Sequence, residues 1–391
     1  MLYEIHMLKN YPPTNLNRDD TGAPKTCIFG GVTRGRISSQ CLKRSWRTSD
    51  LFISEVGENQ LGIRTRGLPE LVAERLRSAG IQESFIEEVM PILADIVKSD
   101  KNGQNKEENE EYTISTKKDA TTFKTKQLVF YSSSEIELIT ELVKSLLATC
   151  KAEKEVKKTV RASLLQNELK KSTERPINLD IALFGRMVTS DAFRNVEASM
   201  QVAHAISTNK ISVESDYFTA MDDRLNGGSM DEMGAGMIND TDYNASCYYL
   251  YASLDTDQLR QSLMDAENAD QIIARAIPAL LRAMAYTNPS GKQNSFAGHV
   301  LPSCFMIECK EKKIPVSLVN AFVEPVKGQD IVAESIRKLA AEADMTDRCF
   351  GLPVKERLWF CADKYSIRPE CATRVCASFP ELVKTAAALL I

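Results

Sequence analysis

Tyr3, Ile5 and Met7 alternate with Glu4 and His6, and this period of two predicts a first strand with one buried face. Tyr11 to Asp20 (YPPTNLNRDD) is rich in Pro, Asn and Asp, so the strand is expected to feed a long turn. Past Ile37 the spacing changes. Leu42 and Trp46 stand four apart, as on one face of a helix that Ser38 and Ser39 can cap, while Gln40, Lys43 and Arg47 share another face. One face packs and the other is available.

From about residue 58 to 178 the periodicity is helical. Ser134 to Glu137 reads as a capping box, followed by Ile136, Ile139, Leu142, Val143, Leu146 and Leu147 at helical spacing. Within this stretch Asp100 to Tyr112 is acidic and almost without apolar residues, which suits an exposed loop. Residues 180 to 300 return to short mixed segments. Cys247 to Ser253 (CYYLYAS) is a clear strand candidate, and the Gly-rich run Asn226 to Gly236 reads as a flexible connection. The fold class predicted is α+β, with a helical insertion after the first strands.

A chain of 391 residues with 43% hydrophobic and 26% charged residues is an ordinary globular composition, long enough for two or more structural units. The ten cysteines include no CxxC pair, which argues against zinc-ribbon and zinc-finger sites and suits reduced cytosolic thiols. No signal-like segment opens the chain and no apolar run is long enough to span a bilayer, so a cytoplasmic protein without a membrane partner is expected. His6, His204 and His299 lie far apart in sequence with no HExxH, so neither a metal nor a cofactor is expected. Asp19-Asp20 and Asp222-Asp223 are paired carboxylates of the kind that cap loops more often than they hold a metal.

A net charge of −4 gives no sign of a nucleic-acid partner until its distribution is considered. Lys25, Arg34, Arg36, Lys43, Arg44 and Arg47 fall within 23 residues that contain no Asp or Glu. The predicted helix opening at Ser38 and Ser39 adds free backbone N–H groups and the positive end of its dipole, a ready site for phosphate. Lys151 to Lys171 is a second basic stretch, with Lys157 and Arg161 four apart as on one helix.

LNRDD (16–20), IFGG (28–31), RISSQCLKRSWR (36–47), DIALFGRM (180–187), AHAIST (203–208), YFTAMDD (217–223) and GKQN (291–294) occur in the order and approximate spacing of a known family. Together they resemble the CasC-type backbone subunit of the type I-E CRISPR Cascade complex, of the RAMP superfamily. The resemblance covers roughly the first 300 residues. It implies an RRM-like (ferredoxin-like) palm with a helical fingers insertion and a protruding thumb hairpin. The palm would comprise 1–57, 179–190 and 224–391, the fingers 58–178 and the thumb 191–223.

The same resemblance implies a non-catalytic subunit that polymerises along a CRISPR RNA guide, grips its backbone, kinks it periodically and presents its bases to a target DNA strand for antiviral defence. Implied partners are the guide, target DNA through the guide, further copies of the chain, and the large, small, 5′-handle cap and repeat-processing endonuclease subunits. Arg18, Lys25, Ser38, Gln40, Lys43 and Arg47 match backbone-contacting positions, and Arg36 joins them from the basic run. Lys157 and Arg161 match basic finger positions, and Lys292 and Gln293 match an RNA-facing loop. Met187, Tyr217 and Phe218 match apolar positions that pack against guide bases, although Met187 equally suits a core gap filler. Two other readings stand beside this one: a type III-like backbone subunit that cleaves paired target RNA with Asp19 or Asp20, and a structural protein that needs no RNA.

Overall fold

The computed structural model describes residues 1–97, 115–117, 120–171, 176–190, 192–220 and 237–389. The acidic run 100–112, the pair Asp222-Asp223 and the Gly-rich run 226–236 lie outside the described residues. The chain is α+β and divides into two compact units, one of residues 1–55, 200–256 and 274–391, the other of 56–199 and 257–273. Residues 179–190, which the resemblance groups with the first and last stretches, belong to the second unit. Asp180 accepts the backbone N–H of Gly62 at 2.9 Å there, and Arg186 is ion-paired with Glu135.

The first unit is built on a large mixed sheet. Its strands among the described residues are β1 (Leu2–Thr14), β2 (Thr26–Phe29), β3 (Val32–Ile37), β4 (Met200–Val202), β5 (Ala205–Ser207), β6 (Glu214–Ala220), β7 (Met237–Asp255), β8 (Pro302–Lys310), β9 (Glu356–Cys361) and β10 (Arg374–Val375). The order is β10-β9-β8-β1-β7-β5-β3-β2, with β4 and β6 also on β7, and every pairing is antiparallel except β9 with β10.

β1 differs from expectation in two ways. It is a central strand, so both faces are covered, and Glu4, His6 and Lys9 are as buried as Tyr3, Ile5 and Met7. It also runs past Tyr11 to Thr14, because Tyr11 and Thr14 still pair with Ser246 and Asn244 while an irregularity between them accommodates Pro12 and Pro13, which lack an N–H to donate.

The polar alternation of β1 feeds a buried ionic network. Glu4 stands opposite Glu308, which stands opposite Arg357. Lys310 bonds both carboxylates, Arg357 Nε donates to Glu308 at 2.7 Å, and Tyr251 and the Val316 N–H donate to Glu4. Each buried charge of this network is thereby offset by an opposite charge and hydrogen bonds, without which its burial would be costly. His6, fully buried on the same strand face, shares a 2.8 Å hydrogen bond with the Tyr249 hydroxyl. Burial, opposed by Glu308 and reinforced by Lys310 and Arg357, lowers its pKa from 6.5 to about 4.

A second buried cation fixes the sheet edge. The β2–β3 hairpin turns through Gly30 and Gly31 at φ +61° and +77°, the two positive angles that a tight hairpin turn requires. A Cβ on Gly30 would stand 1.7 Å from the Val323 carbonyl oxygen. Arg34, on β3 and fully buried, donates to the carbonyls of Phe29, Ser207, Thr208, Phe322 and Val323 at 2.7–3.2 Å. It joins the hairpin, the end of β5 and the 318–322 turn. Its charge, counted with the basic run, is therefore structural.

The helix predicted after Ile37 is α1 (Ser39–Arg47), with Leu42 and Trp46 buried as its spacing requires. In the second unit, α2 (Leu68–Ser78), α3 (Glu83–Ala94), α4 (Ser133–Leu147), α5 (Glu153–Thr159) and α6 (Ala162–Lys171) enclose one apolar cluster, in which Leu68, Val72 and Leu76 of α2 join Ile86, Val89, Ile139, Val143 and Leu165. The capping box of α4 uses Ser132 and Glu135, two residues before the expected pair. Glu135 is held there by the buried Arg186 guanidinium at 2.7 and 2.8 Å, so it closes the box while accepting an ion pair.

Two outcomes follow from these buried groups. Between pH 6.5 and 4 the unfolded chain takes up a proton at His6 that the folded chain refuses, so this group's contribution to stability is present above 6.5 and lost as pH falls, by roughly 3 kcal/mol in full. The raised pKa of Glu4 acts in the opposite sense, so the measurement is the difference in urea midpoint between the parent and His6→Gln across pH 7 to 4.5, with the variant the flatter. Arg34→Met should cost roughly 2–4 kcal/mol of stability in the same assay, because five carbonyls lose a donor, those of Ser207, Thr208 and Phe322 in the buried interior.

Candidate nucleic-acid interface

The loop after β1 is closed by its own side chains. Asn15 Nδ2 donates to the carbonyls of Gly22 and Asp242, and one oxygen of Asp19 accepts from the N–H and hydroxyl of Thr21 and the N–H of Ala23. These bonds hold the Asp19 carboxyl below its usual range, led by the Thr21 hydroxyl and opposed by desolvation. Asp19 thus works as a loop-closing residue, and Arg18 is left exposed beside it.

Asn17 ties this loop to α1. Its carbonyl accepts the Lys25 N–H at 2.9 Å and its Oδ1 accepts the Ser38 N–H at 2.8 Å, while the Lys25 carbonyl accepts the Arg36 N–H at 2.9 Å. Lys25, Arg36 and Ser38 are thereby drawn together, Lys25 and Arg36 by backbone bonds and Ser38 by the Asn17 side chain. Ser38 is the N-cap of α1, accepting from the Cys41 N–H, and the first turn carries no acidic residue. The positive end of this nine-residue helix therefore opens on the same small region. With Leu42 and Trp46 turned inward, Gln40 and Arg44 are exposed and Lys43 and Arg47 half-buried. Partial burial lowers the Lys43 pKa.

The GKQN turn backs onto the loop. A Cβ on Gly291 would lie 2.3 Å from the Leu16 carbonyl oxygen, so glycine is what permits the approach. Lys292 takes a left-handed conformation at φ +49°, uncommon for a side chain of its size, and Gln293 donates to the Pro289 carbonyl at 2.8 Å. Arg18, Lys25, Arg36, Ser38, Gln40, Lys43, Arg47, Lys292 and Gln293 accordingly lie on segments joined by direct contact in the first unit.

Tyr217 and Phe218 sit on β6, opposite Asp240 and Asn239 of β7, and are 64% and 38% exposed. As successive strand residues they point to opposite faces of the β6–β7 ribbon. In the second unit Met187 is 92% exposed, which rules out the core-filling alternative.

Lys157 and Arg161 do not share a helix. α5 ends at Thr159, Val160 is extended with its side chain fully buried, and Arg161 lies between α5 and α6, where it donates to the Lys158 carbonyl. Lys157 is paired with Glu88 at 2.7 Å. Arg161 instead lines an open groove of about 590 Å³ with Lys158, Lys170 and Lys171.

One residue of the first-unit site escaped the sequence reading. β3 pairs Arg36 with Ile206 and Ile37 with Ala205, which carries His204 to the start of α1, and Arg36 Nη1 bonds His204 Nδ1 at 2.9 Å. Desolvation, then Arg36 and Lys25, lower the His204 pKa. The available signal was the string AHAIST itself, but no spacing rule links it to Arg36. Among the described residues no group of three or more His, Cys, Asp and Glu could hold a metal, and no helix is long and apolar enough to cross a membrane.

No curated protein matches the chain. Over its whole length it is similar to a chain of a solved structure named CRISPR RNA-guided surveillance complex, pre-nicking, at 25% identity and a TM-score of 0.80, with all of both chains covered. It is similar in fold to a chain of a second CRISPR RNA-guided surveillance complex, at 21% identity and a TM-score of 0.60, again with all of both chains covered. The family model of CT1975-like proteins, a Cas family, matches residues 3–385, nearly the full length, and the chain belongs to that family.

Proposed function

We propose that the chain is a non-catalytic backbone subunit of a CRISPR RNA-guided surveillance complex of type I-E, gripping the guide RNA by its phosphates. The observation that carries this reading is the joining of three segments, 18–25 with Arg18 and Lys25, 36–47 with four basic residues and no acid, and 291–293 with Lys292, around a helix N-terminus with no acid in its first turn. Phosphate recognition by cations and backbone N–H groups carries no sequence information, which is what a subunit serving changing guides requires. Base pairing then reads the DNA.

In this reading 1–57, 179–190 and 224–391 make the RRM-like palm, 58–178 the fingers and 191–223 the thumb, which carries β6. Tyr217, Phe218 and Met187 supply apolar surface for guide bases, where stacking is sequence-tolerant. Copies of the chain would line up along the guide in the cytoplasm beside the other Cascade subunits. The use of Asp19 in closing its own loop supports a non-catalytic role.

With roughly four to six phosphates per subunit, the log-log salt slope of RNA binding should be about −3 to −4, from about −0.7 per contact on a single strand. Lys43→Ala with Arg47→Ala should weaken binding about equally for unrelated RNA sequences and make the slope shallower by about 1.4. A loss confined to one sequence refutes the backbone grip. Incubating the RNA-loaded protein with complementary RNA and Mg²⁺ should leave the target intact; regularly spaced cuts abolished by Asp19→Ala or Asp20→Ala would refute the non-catalytic reading.

A further inference from the structure

We infer that His204 is a positioning residue for RNA binding, holding the Arg36 guanidinium ready for a phosphate, an inference that rests on the reading of this site as an RNA grip. Arginine can only donate, so the 2.9 Å contact between Arg36 Nη1 and His204 Nδ1 requires a bare Nδ1 and places the imidazole proton on Nε2. Arg36 and Lys25 are the charged groups that face this ring, and both favour its neutral form, the form able to accept.

Arg36 is braced at a second point, where its Nε donates to the Thr26 carbonyl at 3.2 Å. Two of its five N–H groups are used in this bracket and the others remain for a ligand. A long cationic side chain held in place beforehand loses less freedom when RNA arrives than one that must be ordered by it. The bracket comes from β3–β5 pairing. It places His204 beside Arg36 although 168 residues separate them.

The test is fluorescence anisotropy of the full chain with a labelled single-stranded oligoribonucleotide of mixed sequence, alongside thermal melts. His204→Ala should bind about 5- to 10-fold more weakly, the worth of one lost hydrogen bond. His204→Asn, whose Oδ1 can replace Nδ1 as acceptor, should recover most of that loss at an unchanged melting temperature. Arg36→Ala should weaken binding, and adding His204→Ala to it should weaken binding no further, because His204 acts through Arg36. Losses that add, or a His204→Ala protein that binds like the parent while Arg36→Ala is weak, would overturn the inference alone. If Arg36→Ala and the Lys43/Arg47 double variant both bind like the parent, the RNA-grip reading falls and takes the inference with it.

Discussion

Five carbonyl oxygens on one buried guanidinium set the geometry of the candidate interface. Arg34 draws the β2–β3 hairpin, the end of β5 and the turn at 322–323 to a single point. On β3, Arg36 is two residues away and Ser38 caps α1 beyond it. The close approach of Gly30 to the Val323 carbonyl depends on the same convergence. A neutral side chain in place of Arg34 would take one donor from each of the five carbonyls, although that of Thr208 would keep the Val326 N–H.

Charge is sorted by burial. In the basic run Arg34 is fully buried and consumed by carbonyls, while Arg36, two residues further along the same strand, is only partly buried and its side chain makes two contacts, one of them to a neutral imidazole. The sheet interior follows the same rule, with Glu4, Glu308, Lys310 and Arg357 compensating one another. The exposed remainder, not the sum of −4, is what an RNA phosphate would meet.

Much of this was legible beforehand. The α1 pattern placed Leu42 and Trp46 inside and, by the same phase, Gln40, Lys43 and Arg47 off that face, because a helix repeats every 3.6 residues whatever surrounds it; Gln40 is exposed, but Lys43 and Arg47 are half-buried. β1 was legible as a strand but not as a central one, since alternation reports a polar residue without saying whether a partner will bury it. Glu4 and His6 are inside because Lys310, Tyr251 and Tyr249 arrive from other strands. Lys157 and Arg161 were misplaced on one helix for a related reason: Val160 breaks the helix to enter the core of its unit, a packing preference that charge spacing does not encode.

The sequence by itself determined the local elements, the segregation of basic residues between 25 and 47, and the family strings, all properties of neighbours along the chain. The tertiary structure decided which cations are free to act and which groups assist them. Arg34 was withdrawn from the surface and His204 was brought to Arg36, both by strand pairing between β3 and β5. Register joins residues whose separation in sequence carries no periodic signal, and for that reason only the folded chain discloses it.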